Sequence, residues 1–160
     1  MKANVKPIPD GFHTITVSLT LKSSRAAIEF YKKAFDAQVV EIVSRPDGSG
    51  TMHTLIKVGD SFLMMGDEME HCKSAETLGG SPISLYVYVP NVDTVFNQAV
   101  GAGAKVTMPV GDMFWGDRSG SVKDPFGYTW VLATHNRDLS KEEIEEGAKE
   151  FCEQMVQKAS

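Results

Sequence analysis

The feature that most constrains this chain is one succession of elements that occurs twice. Thr14 to Leu21 reads TITVSLTL, with Thr14, Thr16, Ser18 and Thr20 on one face and Ile15, Val17, Leu19 and Leu21 on the other. That period-2 alternation predicts a half-buried strand. Ser23 or Ser24 supplies a capping oxygen, and Ala27, Ile28, Tyr31, Ala34 and Phe35 then recur at helical spacing, so an amphipathic helix runs to about Ala34. Strands are expected over Gln38 to Ser44, Met52 to Val58 and Ser61 to Met65, punctuated by Pro46-Asp47-Gly48 and Gly59-Asp60. The first half reads β-α-β-β-β.

The second half repeats the order. Ser84 to Val89 (SLYVYV) is a strand, Val92 to Gly101 a helix and Ala104 to Met108 a strand, with further strands around Ser119 to Val122 and Tyr128 to Ala133. Asp124-Pro125-Phe126-Gly127 suits a type I turn between the last two. Leu19 and Leu21 align with Val87 and Val89 at an offset of 68. An α+β chain of two βαβββ modules follows, at residues 12–66 and 83–135, with an N-terminal tail at 1–11 and a linker at 67–82. In the final segment, 136–160, Ser140 and Glu143 form a capping box. The helix this starts has a stripe of Ile144, Ala148, Phe151, Cys152 and Met155, expected to dock on the body or on a partner subunit.

Composition narrows the function classes. At 160 residues and 42% hydrophobic content, the chain buries roughly two-thirds of its unfolded surface, enough for one folding unit. Sixteen basic against 21 acidic residues leave a net charge of −5, which repels a phosphate backbone and argues against a nucleic-acid partner. No stretch approaches the roughly 20 apolar residues of a membrane span, and the MKANVKPIPDG start lacks the apolar core of an export signal. Cys72 and Cys152 show no disulfide or CxxC pattern. A cytoplasmic location without membrane attachment is the expectation.

Three stretches carry a family resemblance: AAIEFYKKAFDA at Ala26 to Ala37, MHTLIKVGDSFLMMGDE at Met52 to Glu68, and MFWGDRSGSVKDPFGYTWVLATH at Met113 to His135. The chain resembles the glyoxalase/bleomycin-resistance (vicinal oxygen chelate) superfamily, in its PhnB-like branch. The resemblance implies that each module curls into a half-open cup around a cavity and that the chain forms a homodimer. In metal-using members four cavity-facing side chains, from the first and last strand of each module, bind one divalent ion. Aligned on Phe30 and Tyr31, those positions fall on Thr16, Met64, Ser84 and Val131, and their neighbours include no His, Asp or Glu. Hydroxyls, a thioether and an alkyl group are poor ligands for a divalent first-row metal. Neither a metal nor another cofactor is therefore expected.

The remaining candidates are weighed residue by residue. His53, on a predicted strand, is the candidate acid/base or hydrogen-bonding group in the cavity. Its bland alternative is a histidine satisfied by a neighbouring strand. Phe114-Trp115-Gly116-Asp117-Arg118 is read as a loop lining a pocket, with Trp115 stacking on a planar ligand and Arg118 anchoring an anionic group. Its alternative is that Asp117 and Arg118 merely pair with each other. Tyr86 and Tyr88 share the Ser84 face and extend an aromatic wall, unless they pack as core. His13 and His135 sit at predicted strand ends, where exposure is the expectation, and His71 beside Cys72 lacks the further ligands a metal site needs. The leading expectation is a metal-free protein enclosing an apolar or aromatic small molecule in the cavities of a homodimer. The rivals are an enzyme using His53 with Arg118 or backbone donors, and a metal lyase or dioxygenase.

Overall fold

A computed structural model describes residues 5–159; the first four residues of the expected tail and the final residue lie outside it. Two four-stranded mixed sheets are present. The first module comprises β1 (Val17–Leu21), α1 (Ser24–Phe35), β2 (Gln38–Ser44), β3 (Thr51–Val58) and β4 (Ser61–Asp67), with strand order β1-β4-β3-β2. A short helix, α2 (Ala75–Leu78), lies in the connection to the second module. There β5 (Ser84–Tyr88), α3 (Val92–Ala102), β6 (Lys105–Asp112), β7 (Asp117–Lys123) and β8 (Thr129–His135) form a sheet ordered β5-β8-β7-β6. In each sheet the first strand runs parallel to the last, and the other pairs are antiparallel. The helix α4 (Lys141–Ala159) follows.

Local chemistry explains the boundaries. Ser23 caps α1 by accepting from the Ala26 N–H at 3.3 Å, and Asp36 ends it in the left-handed region at φ 52°. Asn91 does the same for α3, accepting from the Thr94 N–H at 2.9 Å. The capping box of α4 forms as expected: the Ser140 N–H donates to Glu143 Oε2 at 2.7 Å, and the Glu143 N–H donates back to Ser140 Oγ. Two expectations fail on extent. The strand drawn from Thr14 starts only at Val17, where the ladder with β4 begins at Val17↔Leu63, and Ile15 is left 84% exposed. The connection between modules is not bare linker: Glu68 accepts from the Ser74 N–H and the Thr77 hydroxyl. These bonds hold its carboxyl down at about 2 and pin the first turn of α2.

The core is shared between the modules. The α1 stripe Ala27, Ile28, Tyr31, Ala34 and Phe35 is fully buried against Leu19, Leu21, Ile56, Leu63 and Met65. Val92, Phe96 and Ala99 of α3 cover Val122 and Leu132 in the same way. Where the modules meet, Phe35 and Tyr31 lie 4.3 and 5.2 Å from the Trp130 ring. Asp124, buried in the β7–β8 turn, ties the two halves together. It accepts from Tyr31 Oη at 2.8 Å, Trp130 Nε1 at 2.9 Å, and the N–H groups of Phe126 and Tyr128. Burial pushes the Asp124 carboxyl up, against these hydrogen bonds, and burial together with the Asp124 charge raises Tyr31 well above its ordinary value.

Candidate functional site

The register determines which residues share a face. In β7 and β8 the pairs Asp117↔His135, Ser119↔Ala133 and Ser121↔Val131 alternate with Arg118↔Thr134, Gly120↔Leu132 and Val122↔Trp130. The second set faces α3. The first faces away from the helices, together with Tyr86 and Tyr88, which pair with Val131 and Ala133. In the first module the same counting puts Ser18, Thr20, Met64, Leu55, Lys57 and His53 on the face away from α1.

On that second-module face a polar cluster is built around one carboxylate. Asp117 is 3% exposed. Its Oδ2 accepts from Tyr88 Oη at 3.0 Å, Trp115 Nε1 at 3.1 Å and Tyr86 Oη at 3.2 Å, and its Oδ1 lies 2.8 Å from His135 Nδ1. Both tyrosines start on β5 and reach across β8 to β7, over Ala133, whose methyl leaves room for them. Gly116 turns the chain so that Trp115 meets Asp117. It sits at φ 98°, its carbonyl accepts from the N–H groups of Asn136 and Arg137 at 3.1 Å, and a Cβ there would run into the Arg137 carbonyl.

Electrostatics follow from these contacts. Burial raises the Asp117 carboxyl, but the bonds from His135, Tyr88, Trp115 and Tyr86 outweigh it and hold the group below its ordinary value. The same carboxylate raises His135, helped by Asp138 Oδ1 at 3.0 Å from Nε2. Asp138 itself is fully exposed, so its contact with Nε2 is open to exchange with solvent or ligand. Burial and Asp117 raise Tyr86, while the hydrogen bond to Asp117 is the largest cause for Tyr88. Ser119, two residues along the same face, is fully buried with an unpartnered hydroxyl.

Beside the cluster lies a cleft of about 980 Å³ between the inner edges of the sheets. Phe12, Ile15, Val17, Phe62 and Ile83 are among its apolar walls, and Tyr86 and Tyr88 belong both to it and to the Asp117 cluster. This volume suits a drug-sized molecule.

The residues expected from sequence separate. Tyr86, Trp115 and Asp117 come together, and the tyrosines are not core: Tyr86 is 46% and Tyr88 63% exposed. Phe114 packs edge-on against Trp115 at 4.9 Å and against Phe151 of α4 at 5.7 Å, so it supports the tryptophan from behind. Arg118 does not join them. It does not pair with Asp117, because strand alternation turns it to the α3 side. There it grips Asp93 through two bonds of 2.8 Å and Asp112 at 3.2 Å. The assumed loop ends at Gly116, and both Asp117 and Arg118 belong to β7. His53 is half-buried on the open face of β3, paired with Val43 and remote in the fold from the Asp117 cluster. His135, expected to be merely exposed, is the histidine with an oriented carboxylate. Asp117 meets His135 because the β7–β8 connection takes five residues, 124–128; a register counted from the four-residue DPFG turn alone pairs Asp117 with Thr134, so the sequence signal was off by one residue.

The metal positions of the resemblance also receive a geometric test. Met64 pairs with Ser18 and Val131 with Tyr86, while Thr16 precedes β1 and Ser84 pairs with Thr129. All of these are hydroxyl, thioether or alkyl groups, and among the described residues no three His, Cys, Asp or Glu side chains gather to hold an ion. These residues do not fit a divalent metal.

The doubled βαβββ order and a cleft between two curved sheets define the class. Residues 12–132 match the model of the Glyoxalase/Bleomycin resistance protein/Dioxygenase superfamily, and the chain belongs to that superfamily. It is 33% identical over 150 residues to an uncharacterized protein of Mycobacterium bovis, covering 91% of this chain and 94% of that one. Its fold is similar to TioX of Micromonospora sp. ML1, with a TM-score of 0.60 at 21% identity over 80% of this chain and 100% of the other. It is also similar to the PhnB protein of Bacillus cereus, at 0.58 and 22% over 76% and 99%. No helix among the described residues is long and apolar enough to cross a membrane.

Proposed function

We propose that this protein is a metal-free binder of a small apolar or aromatic molecule, held in the cleft between its sheets and enclosed by a second copy of the chain. The observation that carries the reading is the continuity of an apolar cleft with exposed tyrosine faces, on a fold whose metal positions hold no usable ligand. The edge strand β2 supports the second copy. Every residue of it is exposed, including Val39, Val40, Ile42 and Val43, an unpaired apolar edge that a monomer would leave open to aggregation. The expected solution mass is twice the 17.5 kDa of the chain by light scattering. A monomer at micromolar concentration would count against enclosure.

The ligand test is a thermal-shift screen of planar and amphipathic compounds, followed by tryptophan fluorescence. Trp115 belongs to the Asp117 cluster and Trp130, though buried, lines the cleft, so Trp115→Phe separates a cluster signal from a signal of the cleft floor. Absence of any stabilising compound, with no change in the emission of either tryptophan, would defeat the reading.

A second reading, an enzyme without metal, is favoured by one contact: the buried Asp117 orients His135 at 2.8 Å. A histidine so held is equipped for general acid–base chemistry. Among the described residues no carboxylate contacts His53 in this way. Turnover that disappears in His135→Gln and persists in His53→Gln would establish the enzyme and displace simple binding.

A further inference from the structure

The Asp117 cluster says more about the ligand than its size and apolarity. Three aromatic side chains, Tyr86, Tyr88 and Trp115, all direct their polar hydrogens at one atom, Asp117 Oδ2. Their rings fan out from that atom and remain 46%, 63% and 36% exposed. The tyrosine rings lie 5.2 Å apart at 48° to each other. A phenol or indole hydrogen-bonded to a carboxylate carries more electron density in its ring, which strengthens the attraction of the ring face for a cation. The one cationic side chain expected here, Arg118, is turned to the other side of the sheet and neutralised by Asp93 and Asp112.

We propose that the site selects an organic cation, such as a quaternary ammonium or charged heteroaromatic group, which seats on the exposed faces of Tyr86, Tyr88 and Trp115 while its apolar remainder enters the cleft. This rests on the binding reading above. The charged groups around the cluster are Asp117 from β7, His135 from β8 and Asp138 beyond it. His13, Lys57, Asp60 and Asp36 line the farther cleft wall. Among the described residues His135 is the cation that contacts Asp117, and its loss of a proton leaves the site negative. Affinity for a cation therefore rises with pH through the His135 titration.

Calorimetric titration of the full chain with three probes of one shape tests this: 3-hydroxyphenyltrimethylammonium, its neutral isostere 3-tert-butylphenol, and the anion 3-hydroxybenzenesulfonate. The cation is expected to bind about tenfold tighter than the neutral probe, with the anion weakest. Tyr88→Leu, which keeps apolar bulk at an exposed position and leaves Asp117 its bonds from Tyr86, Trp115 and His135, should reduce the cation to the neutral probe's affinity at an unchanged circular-dichroism spectrum. The pH dependence should vanish in His135→Gln. Equal binding of cation and neutral probe, or a preference that survives Tyr88→Leu, overturns the inference and leaves the binding function standing. Failure of all three probes, with no hit in the broader screen, overturns both.

Discussion

The two modules share one backbone plan and differ almost entirely on the face turned away from their helices. Helix-facing residues correspond in kind: Leu19 and Leu21 occupy the places of Val87 and Val89, and Leu63 and Met65 those of Trp130 and Leu132. On the opposite face Ser18 and Thr20 stand where the second module has Tyr86 and Tyr88. Thr51 and Glu68 stand at the counterparts of Asp117 and His135. The fold needs apolar packing under each helix and leaves the other face free to diverge. One module uses that freedom for a polar and aromatic network, the other for small and flexible side chains around His53.

The comparison breaks most visibly at the turns. Asp124→Ala removes the acceptor of four buried donors, so it should lower the unfolding free energy by roughly 3 kcal/mol or more in urea titrations. Asp60→Ala, in the corresponding exposed turn of the first module, should leave the midpoint unchanged. Equal effects would mean that the modules are not joined through Asp124.

The strand positions beneath the helices should respond with opposite signs. Gly120 faces α3 so closely that a Cβ would lie 2.9 Å from the Phe96 ring and the Val110 side chain, and Gly120→Ala should cost roughly 1–3 kcal/mol. Its counterpart Thr54 is buried with an unpartnered hydroxyl. Thr54→Val keeps the shape and should stabilise by about 1 kcal/mol.

A smaller effect separates the open faces by pH. His135 is raised, so the stability from its pairing with Asp117 is full below about 6.5 and fades as pH climbs through the folded value. Asp117 is lowered, so its share is present above about 3.9 and is lost as pH falls through the folded value. The melting temperature should therefore decline from mildly acid to alkaline pH in the wild type and lose that decline in His135→Gln. The smallest change is expected for Arg118→Ala. Its ion pairs with Asp93 and Asp112 are exposed and screened, so added salt should mask the loss, and ligand affinity should not move.

Much of this was legible without coordinates, for a local reason. The alternation in TITVSLTL and SLYVYV, the α1 stripe and the Ser140–Glu143 box depend on neighbours in the chain, so pattern alone reveals them. The candidate site was half legible. Trp115, Asp117 and Tyr86 stood out by chemistry, and their meeting place did not, because it depends on two tyrosines crossing a neighbouring strand over Ala133.

The sequence by itself determined the doubled βαβββ order and the helix-facing core, since burial of an apolar stripe is dictated by period. Through the family resemblance it also put Thr16, Met64, Ser84 and Val131 at the superfamily's metal positions, none of them a usable ligand by residue type. Only the tertiary structure decided that Arg118 turns away from Asp117 and that His135 meets it. Adjacent residues on a strand point to opposite faces, so one step along β7 separates Asp117 from Arg118, while pairing across β8 brings Asp117 to a histidine 18 positions away.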